Sequence, residues 1–575
     1  MLMTEVFGLL DSVEIPMRDG TLLRADVWLP GGEGAWPVLL QRTPYRKEDA
    51  FGTQYISALE FKAALRRGYA VVVQDTRGRH GADGDFDPFE TEMQDGLDTI
   101  AWLREQRFCD GNVAMFGASY VGATQVLAAA GQPEGLMAIS AQLTTARHGE
   151  TWMYRSGAIE LGFLLLWIIE SLGPEDLQRR LETMAPDDAE RATRLLSRMQ
   201  KQPAAAFARL PVLDDDLVAL APYAAKWFDN ARAEAAAGDR ERLDDLARSR
   251  TPFLVIAGWN DLFVEGSIEL FATARARWGA AGEVPDRLIL GPWSHGNPTD
   301  WQGDGWLGYA ASTIGMSDEQ LAFYDAAIAG AMPATPMVRY FRSGSNTWHA
   351  APDWPLPGTE RRELFLDGAA LAADAPAAAW SRAYVTDTLR PVPTVGGASF
   401  LPGLLLGRNS GPKDQAAVES RDDVVVFTSA PLEQDLEVTG LVEAELWVSS
   451  SAPTADWTAR LCEVDADGVS LGLVDGILRW HNAAAGDPRA VTVRLGHVGH
   501  LFRRGSRIRL QVASSNFPRF DRNPQSGTPS SLATEADFTV ARQAIHGGPD
   551  RPSRLILPIV PAPFPAAPSL ASLPG

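Results

Sequence analysis

The chain predicts an α/β protein in three parts: a parallel-sheet domain, a helical cap inserted into it, and a C-terminal all-β domain. Three observations carry that prediction. Short, continuous apolar runs alternate with helical patterns over residues 1–145 and again over 249–356, the rhythm of a parallel sheet with crossover helices. Residues 146–248 hold long stretches rich in Leu, Ala, Glu and Arg with no strand pattern, and residues 357–575 turn into short alternating strands after the Pro-rich link Pro352 to Pro357. With 575 residues, a length prior of about three to four units of ordinary size agrees with this division.

The elements follow in order. Val13-Glu14-Ile15 and Leu22 to Ala25 alternate around Arg18-Asp19-Gly20, which predicts a hairpin. Pro37 to Gln41 and Tyr69 to Gln74 are strands apolar on both faces, and Phe61 to Arg67 and Asp95 to Gln106 are helices. Val113 to Phe116 is a third buried strand, and Tyr120 to Ala130 is a helix that Gly131 stops. After the cap the sheet resumes at Phe253 to Ala257 and Arg287 to Leu290, and Ser317 to Ala329 is a closing helix. The β domain is expected to use Glu363 to Leu366, Val424 to Thr428, Glu437 to Val448, Thr458 to Val464, Val491 to Leu495, Arg507 to Ala513 and Arg554 to Ile559, arranged as a sandwich of jelly-roll type. The tail from Pro561, rich in Pro and Ala, is expected to be loosely ordered.

The candidate chemistry sits where strand gives way to helix. Gly117-Ala118-Ser119-Tyr120-Val121-Gly122 puts a serine at that corner, where its hydroxyl stands clear of the sheet edge as a nucleophile. The familiar pattern has its second glycine two residues after the serine; here Val121 holds that place and the glycine follows at Gly122. A serine that transfers acyl groups needs a base and an orienting acid. Asp261 follows the strand ending at Ala257, and His295 follows the strand ending at Leu290, so the order Ser, Asp, His is that of a doubly wound hydrolase sheet. His497 and His500 lack carboxylate or cysteine company for a metal, and a surface strand is the expected setting for them. No phosphate-binding or dinucleotide glycine loop follows any strand, and no cofactor is expected.

Composition narrows the partners. Lys and Arg total 52 against 73 Asp and Glu, and the net charge of -21 works against binding nucleic acid or anionic membranes. A small ester or amide substrate is the expected partner, and a homodimer is compatible with the chain. Cys109 and Cys462 are the only cysteines, no basic segment precedes an apolar one at the N-terminus, and the apolar run Gly162 to Ile169 is too short to span a bilayer. A cytoplasmic setting is expected.

Several segments together make the sequence familiar: QDTRGRHGADGDF, CDGNVAMFGASYVG, GWNDLF, GPWSHGN, SSNFPRFDRNPQSG and HGGPDRPSRLILPIV. They resemble the bacterial cocaine esterase family, within the wider X-Pro dipeptidyl-peptidase-like serine hydrolases. The resemblance covers nearly the whole chain and is weakest in the cap and in residues 358–420. It implies an α/β-hydrolase domain with a helical cap and a C-terminal jelly roll, Ser119 as nucleophile, His295 as base, Asp261 as orienting acid, and Gly-x-Ser-Tyr-x-Gly as the ordinary form of the corner. It also implies an oxyanion hole made by the Tyr45 hydroxyl and the Tyr120 backbone N–H, and an acyl pocket lined by Trp152, Trp167 and Phe263. A phenol suits the first role as a donor, and aromatic walls suit a bulky apolar acyl group.

Three other readings stand beside the esterase. Amino-acid ester hydrolases and X-Pro dipeptidyl-peptidases resemble this chain but act on substrates with an amino group, a cation that needs carboxylates near the acyl pocket. The dipeptidyl-peptidases of this resemblance carry extra domains for which the chain has little room, and in the amino-acid ester hydrolases the carboxylates follow shortly after the catalytic aspartate. Here Phe263 and Val264 hold those places and Glu265 comes next. The third is a ligand-binding protein with an inert hydrolase core.

Overall fold

The computed structural model describes residues 7–48, 59–228, 232–278, 284–332, 337–401, 409–481 and 486–569. Ten strands form the first sheet, in the order Gly8–Pro16, Leu22–Leu29, Ala70–Asp75, Trp36–Thr43, Cys109–Ala118, Leu136–Gln142, Phe253–Asn260, Arg287–Ser294, Val338–Arg342, Thr347–Ala351. Pairing is antiparallel at both edges and parallel from Ala70–Asp75 through to Val338–Arg342. The inner strands are apolar on both faces because helices cover both. Ile15, Val72, Val113, Val255 and Leu290 meet one apolar layer; Leu39, Val71, Ala114 and Ile289 meet the other.

Two expectations about this sheet need correction. Leu136–Gln142 is a central strand absent from the expected set; its alternation is weak because Ser140 and Gln142 are buried within it. Gln142 finds a partner for its amide at Gln320, 2.9 Å away. The helix Met316–Ile328 does not close the sheet, since Val338–Arg342 and Thr347–Ala351 extend it afterwards.

Between the strands Leu136–Gln142 and Phe253–Asn260 the chain forms the inserted helices, from Leu161–Trp167 to Arg232–Leu246. A two-residue ribbon, Tyr154–Arg155 with Ala158–Ile159, precedes them and departs from the expected absence of strands. Their apolar faces pack on Tyr120, Trp152 and Phe263 rather than only on each other.

The C-terminal domain is all β. Twelve strands are linked by hydrogen bonds, and Arg489–Phe502 folds across Ser470–His481 and Thr454–Val464 without pairing with either. Val442, Ala444, Leu446, Trp457, Leu461 and Leu510 fill the space between. Ser470–His481, Trp380–Thr386 and Ala541–Gly547 were missed from the sequence; in Ser470–His481 a near-continuous run of buried residues, Asp475 among them, replaces the alternation that a half-buried strand shows.

The tail is a further correction. Through Ser569 it lies against the edge strand Thr347–Ala351, where Ala350 N–H donates to Pro565 O at 3.0 Å and Ala567 N–H to Trp348 O at 2.9 Å. Apolar contacts of Phe564 and Ala567 help hold it. Residues 570–575 lie outside the described residues.

Candidate active site

The serine corner is strained in the way its position demands. Ser119 has φ 61° and ψ -129°, a conformation that side-chain-bearing residues seldom adopt and that turns the strand sharply into the helix Tyr120–Ala130. Gly117 has φ 131°, and a Cβ there would lie 2.3 Å from Val121 Cγ1. Gly122 meets the next loop: a Cβ on it would come within 2.8 Å of the Thr144 side chain. That contact explains why the second glycine stands at Gly122 while Val121 is tolerated two residues after the serine.

Two further strand ends complete a hydrogen-bonded chain. His295 Nε2 lies 2.9 Å from Ser119 Oγ, and His295 Nδ1 lies 2.7 Å from Asp261 Oδ2. Asp261 is fully buried, and its other oxygen accepts the Phe263 N–H at 2.5 Å. Arg155 fixes the following residue by donating to Leu262 O at 2.6 Å, and Asn260 Nδ2 ties this turn to the histidine strand through Pro292 O at 2.6 Å. A neutral imidazole so held can take the serine proton while the carboxylate keeps its other nitrogen protonated.

Two groups able to donate a hydrogen bond adjoin the serine. Tyr120 is the first residue of its helix, so its N–H has no carbonyl one turn earlier to bond. Tyr45 follows the strand Trp36–Thr43, and its hydroxyl reaches hydrogen-bonding range of Ser119 and accepts the Trp167 indole N–H at 3.0 Å. Burial raises the Tyr45 phenol well above its ordinary range, against the opposing pull of Trp167, of the Arg79 charge and of Ser119. It therefore stays a neutral donor.

All eight residues singled out from the sequence come together. Trp152 is fully buried and stacks on Phe263 at 4.2 Å, and the Phe263 ring meets His295 edge-on at 5.0 Å. Trp167 lies 5.5 Å from Trp152 and stacks on Trp227 at 5.2 Å. Other residues escaped sequence reasoning. Phe163 lies 5.7 Å from Trp167 and 6.4 Å from His295, and Phe400 of the β-domain chain meets His295 edge-on at 5.3 Å. Phe400 falls in residues 358–420, where the resemblance is weakest and no strand pattern marks it.

A buried polar network under the corner was also missed. The Tyr120 hydroxyl donates to Glu92 Oε1 at 2.9 Å and accepts the Phe89 N–H at 2.9 Å, while Arg42 pairs with Glu92 Oε2 at 2.9 Å. Burial raises the Glu92 carboxyl, and Arg42 and the Tyr120 hydroxyl act against that rise. The charge of Arg42 at the end of an apolar strand was a signal that could have found it.

Other expected features sit differently. His497 and His500 are not on an open surface strand: His497 Nδ1 bonds Glu265 Oε1 at 2.8 Å across the domain boundary, and His500 is buried with Nε2 2.8 Å from Glu463 Oε2. Glu265 also accepts the His497 N–H at 2.7 Å.

Comparison with known proteins gives this geometry its setting. Residues 19–297 match the model of the X-Pro dipeptidyl-peptidase (S15) family, and residues 330–556 match the C-terminal non-catalytic domain of X-Pro dipeptidyl-peptidases. The chain is 35% identical to the cocaine esterase of Rhodococcus sp. (strain MB1 Bresler), over 96% of this chain and 99% of that one. It belongs to the cocaine esterase-like serine hydrolases of the S15 family. An α-amino acid ester hydrolase structure is similar with a TM-score of 0.77 and 25% identity, covering 96% of this chain and 97% of that one. An aminopeptidase from a marine-sediment Thaumarchaeota archaeon shares the fold, with a TM-score of 0.75 and 23% identity over 96% and 97% of the two chains. Within this family the chain stands among the carboxylic ester hydrolases.

Proposed function

We propose that the protein cleaves carboxylic esters of aromatic or bulky apolar acids through an acyl-enzyme on Ser119. The observation that carries this reading is the unbroken chain Asp261 to His295 to Ser119, at 2.7 and 2.9 Å, set in a wall of aromatic rings.

Ser119 Oγ attacks the ester carbonyl as its proton passes to His295 Nε2, and the carbonyl oxygen becomes an oxyanion between the Tyr45 hydroxyl and the Tyr120 N–H. Collapse of this adduct expels the alcohol, which takes the proton back from His295. Water then repeats the sequence on the acyl-enzyme: His295 accepts a water proton, hydroxide adds to the carbonyl, and Ser119 leaves reprotonated as the acid departs. Asp261 holds the imidazole tautomer throughout and stabilises its charged form.

An uncharged acyl group is favoured because Trp152, Trp167, Phe163 and Phe263 surround the site, while the carboxylate that could receive an ammonium, Glu265, is engaged by His497. The acidic balance of the chain supports a small substrate over nucleic acid or membrane, and two buried free thiols suit a reducing, cytoplasmic setting. Labelling with a fluorophosphonate tests the reading: one phosphonyl group per chain at Ser119, with 4-nitrophenyl benzoate turned over faster than the 4-nitrophenyl ester of an α-amino acid. A protein that takes no label, or that prefers the amino ester, does not fit it.

A further inference from the structure

The hydrogen bond between Trp167 and Tyr45 has a direction that its chemistry fixes. An indole nitrogen can only donate, so the Tyr45 oxygen accepts, and the single phenolic proton must point somewhere other than at Trp167. Ser119 is a further hydrogen-bonding neighbour of that hydroxyl and stands where the tetrahedral centre forms. A phenol without this contact could rotate its O–H away.

The donor itself is held with little freedom. Trp167 is 3% exposed, stacks on Trp227 at an interplanar angle of 2°, and lies at 12° to Phe163. It ends the helix Leu161–Trp167, and the chain continues as a single π-helical turn, Ile168–Leu172, of the kind that often marks functional sites. The carbonyls of that turn are pinned to the Tyr45 loop by Arg79, which is fully buried. Its guanidinium donates to Ser171 O at 3.1 Å and Leu172 O at 3.2 Å, to Asp176 at 2.6 Å, and through Nε to Pro44 O at 3.0 Å, one residue before Tyr45. The cap thus grips the Tyr45 loop twice, once at the hydroxyl and once at the backbone.

We propose that Trp167 is a positioning residue for the oxyanion hole: its indole N–H orients the Tyr45 hydroxyl so that the phenolic proton faces the oxygen that becomes negative. The cap then completes the catalytic geometry as well as shaping the acyl pocket. This rests on Tyr45 being an oxyanion donor.

The test compares single and double variants on 4-nitrophenyl benzoate. Trp167→Phe keeps an aromatic wall and removes the N–H; it is expected to lower kcat about tenfold with KM changed less than about threefold. Replacing Trp167 by benzothienylalanine, which matches indole in size and has no N–H, should reproduce that fall in kcat and hold should the phenylalanine variant pack poorly. In a Tyr45→Phe background the benzothienyl substitution should have no further effect on kcat. Equal kcat losses with and without the Tyr45 hydroxyl, or a normal kcat for the benzothienyl variant, would overturn the inference. If Tyr45→Phe alone retains full kcat, the failure lies with the oxyanion assignment instead.

Discussion

The serine corner and the wall that faces it are built by opposite means. At the corner most of the geometry is settled within six residues: Gly117 occupies a point where a Cβ would collide with Val121, Ser119 takes the backbone conformation that remains, and Gly122 alone answers to a residue outside the motif, Thr144 of the next loop. The wall draws Tyr45 from a strand end, Trp152, Phe163 and Trp167 from the insertion, Phe263 from the turn after Asp261, and Phe400 from the β-domain chain. A reacting atom needs one backbone geometry, which neighbours in sequence can impose. A pocket needs a filled surface, which distant side chains supply together.

Substitutions at the corner should therefore destroy turnover, and substitutions in the wall should redistribute it. Ser119→Ala should give the largest effect, a fall in kcat on the order of 10⁶, as for loss of the nucleophile in such relays, with unchanged circular dichroism and no fluorophosphonate incorporation. Activity within about tenfold of the parent would mean that another nucleophile operates.

Tyr45→Phe lies between the two regions. Removing one oxyanion donor should lower kcat on the order of 10² to 10³ while KM changes little, since the bond strengthens only as charge develops. A loss confined to KM would move Tyr45 into the wall.

Phe400→Ala tests the wall directly. Loss of one aromatic contact, worth about 0.5–1.5 kcal/mol, should raise KM for 4-nitrophenyl benzoate severalfold and leave kcat close to the parent. Steady-state kinetics that show a kcat loss instead would place Phe400 in the control of His295, whose ring it meets edge-on.

The smallest effect concerns the joint between the domains. Burial works to raise the Glu265 carboxyl, but the His497 charge and hydrogen bonds, helped by Arg155, hold it down at about 2 against its usual 4.5. A lowered carboxyl contributes stability above its unfolded value, and that stability is lost as pH falls through the folded one. The joint should thus weaken between pH 4.5 and about 2. Glu265→Gln should lower the melting temperature at neutral pH by a few degrees and flatten its decline across that acid window. An unchanged acid profile would show that the pair does not hold the domains together.

Much of this was legible in the chain because it depends on local rules. Buried parallel strands read as continuous apolar runs, glycines mark forced backbone turns, and the order Ser, Asp, His at strand ends points to a relay. Where local rules conflict, legibility fails. Leu136–Gln142 carries buried polar residues whose partners lie far along the chain, as Gln142 with Gln320 shows, and the tail from Pro561 looked unstructured because its order comes from the edge strand it lies against.

The sequence by itself determined the α/β and all-β organisation, the serine corner with its partner Asp261 and His295, and, through resemblance, the identity of several wall residues. Only the tertiary structure decided that Phe400 reaches His295, that His497 engages Glu265, and that the Trp167 N–H meets the Tyr45 hydroxyl. The physical reason is the same in each case. Such contacts depend on distances of a few ångströms between residues remote in sequence, and no periodicity or turn signal encodes them until the layers have packed.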